Sequence, residues 1–208
     1  MTGETPRHRA APAARIGPNA IIQTAAALRS LEGEAAARRI FRAACLDRYL
    51  EASPQAMVDE REVARLHGVV CDRLGAERAR LVNAAAGRLT ADYLLSHRIP
   101  RSAQVFLSLL PAALASRLLC RAITRNAWTF AGTGAFAVHH GRPTVFEISN
   151  CPLCRQRRCA GPICDFYAAT FQGLFARLVH RSTRVTEIAC EAAGAPACRF
   201  ELIWHEGP

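Results

Sequence analysis

The chain has 208 residues, half of them apolar, enough for one cored domain or for one domain with a helical extension. Its formal net charge is +10, from 27 arginines and no lysine against 17 acidic residues. That balance favours acidic partners. However, the arginines are spread along helical segments instead of lying in a stripe with aromatics, which argues against sequence-specific nucleic-acid binding. The nine cysteines are an odd number, and MTGETPRHRAAPAAR has no apolar core of a secretion signal. A disulfide scaffold is therefore disfavoured, and a cytoplasmic protein with metal-binding or reactive thiols is expected.

Taken in order, residues 1–17 read as a disordered tail, 18–98 as an N-terminal helical part and 99–208 as the main domain. Ile21, Ile22, Ala25, Leu28 and Leu31 recur at helical spacing, and Gly33 interrupts them. A second helix is predicted over 34–50, with Ile40, Phe41, Ala44 and Cys45 on one side. A third runs over 59–74 and closes at Gly75. The strongest amphipathic pattern is 77–97, where Leu81, Val82, Ala85, Ala86, Leu89, Tyr93 and Leu94 form one stripe. Residues 102–126 are apolar on more than one side, through Val105, Phe106, Leu109, Leu110, Leu114, Leu118, Leu119 and Ile123. This predicts a helix that is buried or lines an apolar cavity, divided at Pro111. The greasiest run, 106–123, carries Pro111, Arg117 and Arg121 and is a poor membrane span.

The period then changes. Trp128, Phe130, Phe136 and Val138 alternate around Gly132 and Gly134, as in a strand with a glycine bulge. A turn at 139–143 leads to the strand TVFEIS, and a cysteine-rich loop follows over 150–163. A helix over 165–180 has Tyr167, Phe171, Leu174, Phe175 and Leu178 on one face. Two strands, 184–190 and 198–203, close the chain. Helices first, then two hairpins around one helix, indicate an α+β fold with a four-stranded, mostly antiparallel sheet.

Two sets of cysteines compete as a metal site. One is local: Cys151, Cys154, Cys159 and Cys164, spaced C-x2-C-x4-C-x4-C, suited to a tetrahedral zinc or an iron–sulfur cluster. The other is distributed: Cys164, Glu187, Cys190 and Cys198, with Gly194 and Pro196 turning the chain between the last two. In an ideal strand, residues three apart face opposite ways, so Glu187 meets Cys190 only if the strand bends or ends between them. No phosphate-binding glycine motif stands in a strand–turn–helix setting; Gly132-x-Gly134-x-x-Ala137 lies within a strand-like run. NADPH is thus not supported by a motif, and no catalytic residue is identified.

The run P-x-C-x-F-Y-x8-L-F, followed by E-I-x-C-x-A-x-G-x-P-x-C-x-F, resembles the 4-vinyl reductase domain family over about residues 100–204. That domain occurs in a stand-alone archaeal protein and in phenol-responsive sensors. The resemblance implies a structural zinc on Cys164, Glu187, Cys190 and Cys198, with Cys151, Cys154 and Cys159 outside the family pattern. ADYLLSHRIP, AWTFAGTGAF and FEISNCPLCR resemble the branch of bacteriochlorophyll biosynthesis, described as a (bacterio)chlorophyll 4-vinyl reductase. The implied fold is that of haem nitric-oxide sensors and TRAPP subunits: a helical layer on an antiparallel sheet around an apolar cavity, often in a homodimer.

The implied ligand is a magnesium tetrapyrrole, such as divinyl protochlorophyllide, carried or presented to pathway enzymes at or near the photosynthetic membrane. Phe106, Leu110, Leu114, Trp128, Phe130 and Phe136 would line its cavity, toward the upper end of roughly 300–1,000 Å³. His97, His139 or His140 would meet the magnesium, and Arg98, Arg101 or Arg125 a propionate. The alternative is a vinyl reductase supplied with an external reductant. An aromatic-ligand sensor module ranks third, because no segment reads as its ATPase or DNA-binding partner domain.

Overall fold

The computed structural model describes residues 14–204. Residues 1–13 of the expected tail lie outside that range, but its last part is structured. Arg15–Ile16 (β1) pairs antiparallel with Val58–Asp59 (β2), and Ile16 is buried. Asn19–Glu32 (α1) buries Ile21 and Leu28 and stops at Gly33, as the periodicity predicts. The helix expected over 34–50 is two pieces, Glu34–Ala43 (α2) and Arg48–Glu51 (α3). Cys45 takes a left-handed φ of 56°, and the Leu46 N–H donates back to the Phe41 carbonyl at 2.8 Å. Leu46 and Phe41 are both buried beside this reversal, the arrangement of a hydrophobically sealed helix end.

Glu60–His97 (α4) begins at Asp59, whose carboxylate accepts from the Arg61 N–H at 2.8 Å. It is broken at Gly75, where the expected C-cap glycine has φ 74°. Pro111 divides the next apolar stretch into Arg101–Ser108 (α5) and Ala112–Arg125 (α6). The strand expected from Trp128 is instead a single helical turn, Trp128–Ala131 (α7). The Thr129 hydroxyl donates to the Asn126 carbonyl at 2.7 Å, and the Ala131 N–H to Ala127 at 2.7 Å, so local bonds outweigh the alternating pattern.

Ala135–His139 (β3), Thr144–Ser149 (β4), Arg184–Ala189 (β5) and Cys198–Ile203 (β6) form an antiparallel sheet in the order β3-β4-β6-β5. The α+β expectation is thus borne out. Asp165–Leu178 (α8) packs on this sheet and, on its other side, against α4; α1 packs on α4. The α4–α8 approach is close: a Cβ on Gly87 would stand 2.3 Å from the Phe166 carbonyl oxygen, and the Thr170 hydroxyl donates to the Gly87 carbonyl at 3.1 Å. Aromatic rings fill the space between α8 and the sheet. Phe171 lies 4.9 Å from Phe146, 5.7 Å from Phe200 and 6.0 Å from Phe130, mostly edge to face. No helix among the described residues is long and apolar enough to cross a membrane.

Two buried polar groups shape this framework. Glu60 accepts from the Thr133 N–H (2.8 Å) and hydroxyl (2.7 Å) and pairs with Arg155. Burial alone would raise its carboxyl; Arg155 and Thr133 outweigh that and hold it below the usual carboxylate range. The turn at Gly132 exists for this contact: φ is +59°, and a Cβ would stand 2.0 Å from Glu60 Oε2. Gly132→Ala should lower stability by more than about 2 kcal/mol, read from urea midpoints, and a neutral result would refute the reading. The second group is His67, buried edge-on to Phe166 with Nε2 unpartnered. Burial pushes its pKa down from 6.5 to about 4. Between those values the unfolded chain binds a proton that the folded chain refuses. Stability therefore falls as pH drops through this window, by on the order of 3 kcal/mol. A His67→Leu variant should lack that part of the decline when urea midpoints at pH 7 and pH 4.5 are compared; equal declines in parent and variant would disprove it.

Candidate metal centre and apolar helical face

Three segments bring thiols together: the loop after β4, the start of α8 and the β5–β6 hairpin. Cys164 caps α8 and Cys198 opens β6, and both are buried. Their Sγ atoms are 3.8 Å apart, and Cys190 Sγ lies 4.0 Å from Cys164 and 3.8 Å from Cys198. The bend that Glu187 requires is present. Glu187 pairs with Phe200 and Ala189 with Arg199, so Ile188 is an extra residue in a bulge. Side chains on either side of the bulge then converge. Glu187 Oε2 accepts from the Cys164 N–H at 2.7 Å, while its Oε1 is buried with no partner.

The four predicted donors therefore form one group, with ligand atoms all within 4.8 Å of one another. Burial, and then the charge of Cys190, push the Glu187 carboxyl up to about 9. A buried carboxylate with an orphaned oxygen beside three thiols suits a cation of zinc type, which would take thiolate and carboxylate ligands here.

Two thiols that the family pattern leaves aside belong to the same place. Cys151 and Cys154 are buried, 3.7 Å from Cys164 and 3.4 Å from Cys198 respectively. Their loop is held from several sides. The Glu191 carboxylate accepts from the N–H groups of Asn150 and Cys151. Arg155 joins Glu60 and donates to the Asn150 carbonyl at 2.7 Å, and Arg157 pairs with Asp72 on α4. The C-x2-C spacing of Cys151 and Cys154 was the signal in the sequence; Glu60, Arg155 and Glu191 gave none. The local set is split: Cys159 is part-buried and stands outside the converging groups, its N–H donating to the Ala192 carbonyl at 2.8 Å.

The predicted cavity residues are arranged differently from the expectation. Phe106, Leu114 and Trp128 are exposed, and Leu110 is half-buried, so α5 and α6 are not enclosed on this side. The short α5 and the turn after it turn Val105, Phe106 and Leu109 outward together. Phe130 and Phe136 contact each other and the aromatic core. Open clefts of about 340, 390, 480 and 510 Å³ mark the described surface, and none of these four is lined by the six residues. His97 is exposed and stacks on Tyr93. His139 Nε2 lies 3.3 Å from the Glu147 carboxylate, and His140 is exposed. Arg98, Arg101 and Arg125 are exposed as well.

Cys164 belongs to both converging groups, so Cys164→Ser should remove bound zinc and lower the thermal midpoint by on the order of 10 °C. Chelator-treated parent should match the variant in calorimetry, and a chelator should change the variant no further. A variant with the parent's zinc content and midpoint would refute the assignment.

Comparison with known proteins agrees with this geometry. The family model of the 4-vinyl reductase domain matches residues 144–203, which hold β4, the cysteine loop, α8 and the hairpin. The bacteriochlorophyll synthase 23 kDa chain of Cereibacter sphaeroides is 43% identical over 98% of both chains. The same-named chain of Rhodobacter capsulatus is 37% identical over 90% of this chain and 86% of its own. At the level of fold alone, a solved structure from a study of haem distortion in the H-NOX family aligns with TM-score 0.59 at 12% identity, covering 93% of this chain and 96% of that one. A second, from work on porphyrin distortion and haem redox potential, aligns at 0.54 over 93% and 96%. The chain therefore belongs to the 4-vinyl reductase domain family, within the bacteriochlorophyll-associated group that the two 23 kDa chains represent.

Proposed function

We propose that the chain serves bacteriochlorophyll biosynthesis by binding a magnesium tetrapyrrole intermediate, of the divinyl protochlorophyllide kind, and handing it to pathway enzymes. The observation that carries this reading is the outer face of α5–α7. It exposes Phe106, Leu109, Leu114 and Trp128 in a stretch where, from Tyr93 to Phe146, the sequence has six arginines and no carboxylate. A flat apolar macrocycle with an acidic side chain matches such a face in both shape and charge. The rings would cover the macrocycle, and Arg101 or Arg125 would pair with the propionate. His97, exposed at the end of α4, supports a magnesium ligand better than His139, whose Nε2 is engaged by Glu147. Phe130 and Phe136 would form the floor beneath the ligand, continuous with the core.

In this reading the thiol centre holds the α8 end of the domain together and takes no part in chemistry on the pigment. The 23 kDa chains are named for bacteriochlorophyll synthase, which supports pathway enzymes as partners. The test is titration of the purified chain with magnesium divinyl protochlorophyllide, followed by the pigment absorption band and quenching of tryptophan emission. A saturable shift is expected, weakened roughly 10-fold or more in Phe106→Glu. No shift in the parent would refute binding. Loss of the vinyl absorbance on adding NADPH would favour the reductase reading instead.

A further inference from the structure

We propose that the thiol centre holds two metal ions in one edge-sharing cluster, with Cys151 and Cys154 supplying the outer ligands of a second zinc-type ion. This rests on the zinc reading of Cys164, Glu187, Cys190 and Cys198. Two groups of four donors are present, Cys151/Cys154/Cys164/Cys198 and Cys164/Glu187/Cys190/Cys198, each with its ligand atoms within 4.8 Å of one another. They share Cys164 and Cys198.

A tetrahedral ion with bonds of about 2.3 Å to sulfur has edges of about 3.8 Å between its sulfurs. The sulfur separations are 3.7 Å (Cys151–Cys164), 3.4 Å (Cys154–Cys198), 3.8 Å (Cys164–Cys198), 4.0 Å (Cys164–Cys190) and 3.8 Å (Cys190–Cys198). These are the edges of two tetrahedra that meet along the Cys164–Cys198 edge. Cys164 and Cys198 would act as bridging thiolates, Cys151 and Cys154 as terminal ligands of one ion, and Glu187 and Cys190 of the other.

The alternatives fit less well. Every pair is too far apart for a disulfide of about 2.05 Å. An iron–sulfur cube interposes its own sulfides, so its thiolates stand well apart and not in mutual contact. A single four-coordinate ion would leave one pair of donors idle, yet each pair is separately fixed. The bulge at Ile188 turns Glu187 and Cys190 inward. Glu191, Glu60–Arg155 and Asp72–Arg157 hold the loop of Cys151 and Cys154. Charge agrees too: five thiolates and one carboxylate carry six negative charges, and a second divalent ion brings the net to about −2.

The experiment is metal analysis of the full chain loaded with zinc chloride and freed of excess. About two zinc ions per chain are expected, falling to about one in Cys151→Ser and Cys154→Ser. The parent is also titrated with cobalt(II), which needs no variant to fold. Thiolate-to-cobalt absorption should rise to two equivalents, and the magnetic signal per cobalt should fall as the second ion couples through the bridging thiolates. One ion per chain, kept in Cys151→Ser and Cys154→Ser, would overturn the second site and leave the mononuclear reading standing. No bound zinc would overturn both. Iron with sulfide-type absorption in the purified chain would overturn the zinc cluster in favour of an iron–sulfur centre.

Discussion

Five thiols and a carboxylate meet in a dry pocket where a loop, a helix start and a hairpin end together. Six acidic donors at that spacing are mutually repulsive once ionised and poorly solvated when neutral. A soft cation resolves both problems, because it neutralises charge and supplies bonds in place of water. The local backbone follows from that constraint. The bulge at Ile188 exists to bring Glu187 round beside Cys190, and Cys164 stands at the N-cap of α8, where no side chain bonds the helix end. The Cys164 N–H is satisfied by Glu187 itself, so the carboxylate both orients the helix and faces the cluster.

The remainder of the domain is arranged around α8. One side of this helix carries the aromatic layer against the sheet, through Phe171, Phe175 and Tyr167. The other side meets α4 so closely that Gly87 admits no side chain. The Tyr167 hydroxyl donates to the Phe130 carbonyl at 2.7 Å, tying α8 to the turn that presents Trp128. The metal end and the apolar face are thus two ends of one packed layer, in which Phe130, Phe136 and Phe171 stand ring against ring. A ligand on the helical face would sit on this layer, not inside it.

Much of this was legible in the sequence, and the exceptions have physical causes. Periodicity located α1, α8, β4 and β6, and Gly33, Gly75 and Pro111 marked real interruptions, because those residues restrict or free the backbone wherever they occur. Trp128–Phe130 misled because a two-residue alternation of large rings also fits one helical turn, and the hydrogen bonds at Asn126 and Ala127 decide between them. The burial expected for Phe106, Leu114 and Trp128 failed because apolar character reports what a surface could cover, not what covers it. Cys164, Cys190 and Cys198 were readable from spacing. That Cys151 and Cys154 join them was not, since their loop has no period and its course is set by Glu60, Asp72 and Glu191, residues remote in sequence.

The anchoring of that loop carries one more consequence. Within ten residues, Asn150, Cys151, Arg155, Arg157 and Cys159 are tied to outside points at Glu191, Glu60, Asp72 and Ala192. Irregular segments ordinarily tolerate gain or loss of a residue. This one is a ruler with fixed marks: side chains between the marks are free to vary, but the count of residues is not. Removing a single residue between Cys151 and Cys159 would draw a thiol off the cluster or an arginine off its carboxylate. Evolutionary drift here should therefore change letters and conserve length, and related chains with the same cysteines but a longer or shorter span between them would contradict it.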